Sequence, residues 1–294
     1  MNFHISYKAQ RMFLILGFLI VPLALLVTFS LYPAIKLVLY SFTSWNGLTT
    51  SYPWVGLHNY IEIFRNPALF GVFIHNFSYF IGGLVQNVIA LGFALLLSKK
   101  VKIRNGFRSI LFIPYMLNAV AVVYIFQFMY QDNGAINTIL RVVGLGALAT
   151  DWIGNNHVIN WALAFVSLWE YFPFNMVIYL AAIQSIPEDM YEAALLDGAS
   201  AWQTLWYVTL PNLRAIIQVN LLLTVSGALE AFNIPFIMTN SAPAAATFLT
   251  QTMNVAFVFN NYGLASAMAI VLLVIVVLVI SIQRKIVGGG DDVV

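Results

Sequence analysis

The chain of 294 residues carries 13 Lys and Arg, 11 Asp and Glu and no Cys; charged residues make up 8% of it and hydrophobic residues 61%, with a mean hydropathy of +0.87. A soluble domain is charged at about a quarter of its positions, and so few charges would leave a water-soluble surface covered in large apolar patches, so the chain is expected to live in lipid. A net charge of +2 with no strip of interleaved basic and aromatic residues speaks against nucleic-acid binding, and the missing cysteines exclude disulfides, thiolate metal sites and thiol nucleophiles.

A helix that crosses the hydrocarbon needs about 20 mainly apolar residues. Stretches free or nearly free of charge predict six such spans, at 12–35, 77–98, 109–131, 158–183, 215–238 and 263–282. Glu170 alone interrupts the fourth and Glu230 the fifth. The long uncharged run after Glu230 is divided by the turn-prone cluster from Thr239 to Pro243 and by Asn260-Asn261. The expectation is an all-α membrane protein, one transmembrane domain over 1–294.

Orientation follows from Lys and Arg in the connections. Lys8, Arg11, Lys99, Lys100, Lys102, Arg104, Arg108, Arg214, Arg284 and Lys285 fall on one side, against Lys36, Arg65 and Arg141 on the other. Both termini are therefore expected in the cytoplasm, and the first span reads as an uncleaved anchor. Outside, Leu57, Tyr60, Ile61 and Phe64 at helical spacing predict a short interfacial helix. The second outer loop, Asp132 to Asn156, is glycine-rich and predicts a loop with one helical turn.

The cytoplasmic loop 184–212 holds more information. Ser185 with Glu188 three residues on, and Pro187 between, predicts a capping box that starts a helix. That helix ends at Gly198, where a residue without a side chain lets the chain turn. A second helix from about Ala201 runs to a break at Leu210-Pro211. Ala193, Ala194, Gly198, Ala199 and Ala201 give the elbow small side chains that permit close approach by another protein, while Glu192 and Asp197 offer acceptors. The alternative is an interfacial helix pair with no special role.

The run Glu192-Ala193-Ala194, three residues, Gly198, nine residues, Val208, one residue, Leu210-Pro211 resembles the EAA loop of permease subunits of binding-protein-dependent ABC importers, with Val208 where Ile is usual. Further likenesses are spread over most of the chain: Gly56-Leu57-x-Asn59-Tyr60, Phe107-Arg108 before Pro114, Trp169 with Pro173, Ile186-Pro187, Thr239-Asn240 and Gly263-x-Ala265-x-Ala267. They resemble the carbohydrate-uptake branch, with its maltose-type and glycerol-phosphate-type permeases. The resemblance implies the ABC importer type I permease fold, with Glu192, Ala193, Ala194, Asp197, Gly198, Ala199, Leu210 and Pro211 as the coupling elbow seated on an ATPase subunit. It implies as partners a second, homologous permease subunit, a dimer of ATP-binding subunits and an extracytoplasmic solute-binding protein that delivers a sugar or oligosaccharide. The setting it implies is the cytoplasmic membrane of a bacterium or archaeon.

There is no Gly-x-x-x-x-Gly-Lys-Ser/Thr loop, so nucleotide phosphates are not cradled here by that mechanism; ATP and magnesium belong on the partner ATPase, and no catalytic residue is assigned. His4, His58, His75 and His157 lack metal-ligand spacing, so no metal or other cofactor is expected on this chain.

An acid at the bilayer centre costs about 2.5–3.5 kcal/mol on insertion scales, so Glu170 and Glu230 should face protein or water. Glu170 lies among Trp169, Tyr171, Phe172 and Phe174, with Pro173 freeing backbone carbonyls of the preceding turn. Acids and amides beside aromatic rings suit sugar hydroxyls and the C–H faces of sugar rings; the alternative for Glu170 is a hydrogen bond to a helix neighbour or to the partner permease. Thr224, Gly227, Ala228 and Ala231 form a small-residue stripe that either seats a ligand or packs a helix. The resemblance puts substrate-facing positions on the spans flanking the elbow, here Glu170, Tyr171 and Phe174 opposite Glu230, Ala231 and that stripe. A rival is a proton-coupled secondary transporter that titrates Glu170 or Glu230, although no inverted repeat is evident.

Overall fold

The structure, a computed structural model, describes residues 7–98, 104–240 and 242–287; His4, Lys99, Lys100, Lys102 and Ser241 lie outside the described residues. Its helices in chain order are α1 (Tyr7–Leu26), α2 (Tyr32–Tyr40), α3 (His58–Arg65), α4 (Pro67–Phe70), α5 (Phe73–Ser98), α6 (Arg104–Met116), α7 (Ala119–Met129), α8 (Ala135–Val142), α9 (Ile159–Gln184), α10 (Glu188–Leu196), α11 (Ala201–Thr204), α12 (Leu210–Asn212), α13 (Arg214–Leu229), α14 (Asn233–Thr239), α15 (Phe248–Phe257) and α16 (Tyr262–Val287). Among the described residues, five helical stretches are long and apolar enough to cross a membrane: Leu14–Tyr40, Pro67–Ser98, Ile159–Gln184, Arg214–Thr239 and Tyr262–Lys285. The pair α6 and α7 makes a sixth span if read as one.

Two of these stretches are not the straight rods that hydropathy suggests. Between α6 and α7 the chain bends by 94°. Asn118 adopts extended backbone there, and its side-chain oxygen accepts from the N–H of Val120 at 2.8 Å, capping α7. The Arg214–Thr239 stretch is interrupted after Leu229, where Glu230 closes α13 and Phe232 precedes α14.

The residues cluster into two compact units. One is drawn from residues up to Arg65 and from Val255–Val271. In it, α1 and α2 are joined by a π-helical turn, Val27–Leu31, and the segment that follows is fastened by Asn59 on α3. The Asn59 amide donates to the carbonyls of Ser41 and Thr43, both at 2.9 Å, and the Tyr60 hydroxyl donates to Ser41 Oγ at 2.7 Å. Leu57, just before this short helix, and Ile61 and Phe64 on it are exposed, while Asn59 and Ile63 are buried. Gly263, at the start of α16, donates to the Trp45 carbonyl at 2.9 Å, and a Cβ at Gly263 would run into the Thr43 carbonyl.

The second unit comprises Asn66–Asn254 and the chain from Leu272 onward. Its principal helix pair is α5 with α9, to which α6 and α13 add. In lipid there is little hydrophobic force between helices, and close packing of small residues takes over. A Cβ at Gly82 would lie 3.3 Å from Ala164 Cβ, and one at Gly83 would collide with the Thr224 methyl. Two apolar clusters result: one around Val122, Phe126, Leu163, Val166 and Met238, the other around Ala90, Phe172, Met176, Leu180 and Leu213. The second outer loop is more ordered than a glycine-rich loop suggests. It forms the two-turn helix α8, tied down by buried Asn137, which bonds the Thr150 carbonyl at 3.0 Å and the Trp152 indole at 2.8 Å.

A break inside a span frees carbonyls that lipid cannot satisfy. Asn76 of α5 supplies what is missing: its Nδ2 donates to the carbonyls of Ala228 (2.7 Å) and Leu229 (3.2 Å), and its Oδ1 accepts from the N–H of Phe248 at 3.3 Å. Thr247 donates to the Ala231 carbonyl at 2.6 Å. Asn76→Ala is therefore expected to lower stability by about 2 kcal/mol or more, since buried backbone groups lose their partners. Gly92→Ala, at a helical position with open space around it, should be neutral or stabilising by up to about 1 kcal/mol. Thermal unfolding in detergent, followed by tryptophan emission, compares the two.

Candidate functional site

A cavity of about 390 Å³ opens within the second unit. Residues one helical turn apart build each wall. α5 contributes Tyr79, Gly83 and Gln86; α9 contributes Ala164, Ser167, Leu168, Tyr171, Phe174 and Asn175; α6 contributes Tyr115. Opposite stand Leu223, Thr224, Gly227, Ala228 and the interrupted stretch Glu230 to Pro235. The aromatic part is ordered by ring contacts: Tyr115 stacks on Phe174 with centroids 5.1 Å apart and meets Tyr171 edge-on at 6.1 Å. Phenol, amide, hydroxyl and carboxylate groups thus share a small space with aromatic faces.

Seven of the eight positions singled out on the flanking spans meet in this cavity: Tyr171, Phe174, Thr224, Gly227, Ala228, Glu230 and Ala231. Glu170 does not line it. Successive residues on a helix differ by about 100°, so with Tyr171 facing the cavity Glu170 turns onto the face of Leu163 and Val166, both fully buried. It is itself only 5% exposed, and its Oε2 is buried with no hydrogen-bond partner among the described residues. The small-residue stripe divides in two. Thr224 packs on Gly83 and is held in a network: its Oγ1 donates to the Asn220 carbonyl at 2.9 Å and accepts from Asn87 at 2.6 Å, while Asn87 accepts from the Tyr179 hydroxyl at 2.8 Å. Gly227 instead borders open space. Sequence reasoning missed Gln86, Tyr115, Ser167, Asn175 and Asn233; Ser167 and Asn175 stand one helical turn either side of Tyr171, so stepping by four residues would have found them.

The loop 184–212 forms the elbow, though not as the capping box predicts. Ser185 closes α9, its Oγ donating to the Ala182 carbonyl at 2.8 Å, and Pro187 is the N-cap of α10. The capping box is at Ser200 and Gln203, at the start of α11. At the bend Gly198 takes a φ of +76°, and the N–H groups of Gly198 and Ala199 return to the carbonyls of Leu195 (3.1 Å) and Ala194 (2.9 Å), the pairing of a Schellman turn. No sharp break occurs at Pro211. A π-helical turn, Leu205–Thr209, precedes it and accommodates a residue that lacks an N–H. Tyr191 and Thr209, their hydroxyls 3.3 Å apart, link the two arms. Glu192, Ala193, Asp197, Gly198 and Pro211 are exposed, Ala194, Ala199 and Leu210 half-buried; Leu196 is 88% and Tyr207 80% exposed.

Residues 86–288 match the family described as binding-protein-dependent transport system inner membrane component. The chain belongs to that family. Both the elbow and most of the cavity lie inside the matched region. The permease is 30% identical over 272 residues to the probable ABC transporter permease protein YurN of Bacillus subtilis, covering 90% of this chain and 93% of that one. It is 32% identical over 275 residues to the multiple sugar-binding transport system permease protein MsmF of Streptococcus mutans, covering 92% and 93%. Its fold matches, with a TM-score of 0.81 and 21% identity over 97% of this chain and 98% of the other, a chain in the crystal structure of a bacterial alginate ABC transporter in complex with an alginate pentasaccharide-bound periplasmic protein. The permease thus has the ABC importer permease fold and is a multi-pass membrane protein, and a proton-coupled secondary transporter finds no support in these likenesses. Among the described residues no cluster of His, Asp or Glu could hold a metal ion.

The two glycines give a direct check on which surfaces are packed. Gly83→Ala is expected to destabilise by about 1–3 kcal/mol through the clash with Thr224, whereas Gly227→Ala should change stability by no more than about 1 kcal/mol. Paired thermal melts of the purified permease measure both.

Proposed function

We propose that the chain is one of two homologous permease subunits of an ATP-driven importer in the cytoplasmic membrane of a bacterium or archaeon. It passes a sugar or oligosaccharide, delivered by an extracytoplasmic solute-binding protein, through the cavity by alternating access. ATP and magnesium are bound and hydrolysed by a separate ATPase dimer. In this reading Tyr171, Phe174, Thr224, Gly227, Ala228, Glu230 and Ala231 belong to the solute's path, and Glu170 lies buried outside it. The elbow residues Glu192, Ala193, Ala194, Asp197, Gly198, Ala199, Leu210 and Pro211 form the ATPase contact.

The observation that carries the proposal is the connection between cavity and elbow. α9 forms one cavity wall and runs directly into the elbow; the elbow runs through α11 and α12 into α13, which forms the opposite wall. A force applied at the elbow reaches the α13 wall through nearly unbroken helix and the α9 wall across the short Ser185 to Pro187 joint. The turn at Gly198, the cap at Ser200 and the Tyr191–Thr209 link stiffen the joint, so the elbow transmits displacement instead of absorbing it. The aromatic and amide lining suits a hydroxyl-rich solute, and the sugar-binding system in which the Streptococcus relative takes part supports the same class. The periplasmic protein in the alginate transporter complex supports delivery by a binding protein. The Lys and Arg bias supports a cytosolic elbow, on the side where ATP is available.

Leu196 separates docking from folding because its side chain is 88% exposed. Leu196→Glu is expected to leave stability within about 0.5 kcal/mol while reducing co-purification of the ATPase subunits at least about ten-fold, a loss of about 1.4 kcal/mol of binding. Unchanged association would remove the elbow from the interface. Proteoliposomes holding the complete importer should take up solute with internal ATP and not with an imposed proton gradient alone.

A further inference from the structure

Glu230 is the one charged residue among those lining the cavity. The main chain at the break around it is satisfied, since Asn76 serves the carbonyls of Ala228 and Leu229 and Thr247 that of Ala231. The Glu230 N–H donates to the Ser226 carbonyl at 3.0 Å. Its carboxylate is exposed and has no hydrogen bond or ion pair among the described residues. An unpaired acid in a span is expensive unless water or a ligand meets it. Glu230 also closes α13, so its charge adds to the negative end of that helix's dipole. No Lys, Arg or His lines the cavity to offset the two fields.

We propose that Glu230 is the charge-selecting residue of the cavity. It accepts hydrogen bonds from the hydroxyls of electroneutral saccharides and turns away anionic ones, uronates and sugar phosphates among them. A carboxylate accepting from a hydroxyl makes a short, charge-assisted bond, whereas a second carboxylate at the same distance meets a like charge in a site of reduced dielectric. Glu170, buried away from the cavity on the other face of α9, has no part in this selection. The inference rests on the cavity being the solute's path.

The test uses the complete importer, both permeases with the ATPase subunits, in nanodiscs without the binding protein, whose own selectivity is thereby removed. Saturation-transfer NMR compares maltotriose with trigalacturonate. The wild type should give a maltotriose signal at least about ten-fold stronger than that of trigalacturonate. Glu230→Gln should close the gap to about two-fold, while Glu62→Gln, which removes the same charge from α3, should leave it. In the wild type, raising salt from about 0.05 M to about 0.5 M should narrow the gap by screening, a measurement independent of any variant's folding. Gly227→Trp, which fills the cavity, should suppress the maltotriose signal. Equal binding of both saccharides by the wild type, or a gap that survives both Glu230→Gln and high salt, overturns charge selection and leaves the carbohydrate path standing. No binding of either saccharide, or binding that persists in Gly227→Trp, overturns the path and the selection together.

Discussion

The side chain of Asn76 makes possible a break that lipid would otherwise forbid. A span in hydrocarbon is helical because each backbone N–H and C=O must find a partner within the protein. Interrupting one near its middle exposes carbonyls that only another polar group can satisfy. One amide on α5 bonds two carbonyls at the end of α13 and the N–H of Phe248, and Thr247 completes the set. Because those bonds are made by side chains from elsewhere in the unit, Glu230 is free of structural duty. The cavity follows from the same device, since its wall from Glu230 to Pro235 is the interrupted stretch itself.

The small residues around this break divide the work of packing and of leaving space. Gly82 and Gly83 let α5 approach Ala164 of α9 and Thr224 of α13, and the Asn87, Tyr179 and Thr224 network locks the three helices together. One turn further along α13 there is no such neighbour, and Gly227 borders space. A stripe that reads as uniform in sequence therefore has two functions, decided by whether a glycine on α5 faces it. Rigid packing thus stands beside an open volume on the same helix.

The spans and the elbow were legible in the sequence because hydropathy and charge are local properties. The bend at Gly198 followed from a residue whose φ is positive, and the EAA run located the elbow. What was not legible depends on partners distant in sequence. The cap at Ser185 failed because that serine closes the preceding helix, whereas the true box lies at Ser200 and Gln203. The predicted break at Pro211 is absorbed by a π-helical turn. The 94° bend at Asn118 and the interruption at Glu230 both sit inside apolar stretches that a hydropathy window passes over. Asn76, which makes the second possible, looks in sequence like any polar residue near a helix start.

The two membrane acids make the same point about angular position. Sequence alone treats Glu170 and Glu230 alike, as costly residues on spans flanking one loop. A rotation of about 100° per residue along α9 separates Tyr171, which lines the cavity, from Glu170, which is sealed among Leu163 and Val166. At Glu230 there is no continuing helix to fix the side chain against a neighbour, and it ends in the open volume. The two acids are placed in opposite ways: Glu170 is buried against protein with its Oε2 lacking a hydrogen-bond partner among the described residues, and Glu230 has access to whatever fills the cavity. Only an acid placed in the second way can distinguish one solute from another, because its energy depends on what the solute brings.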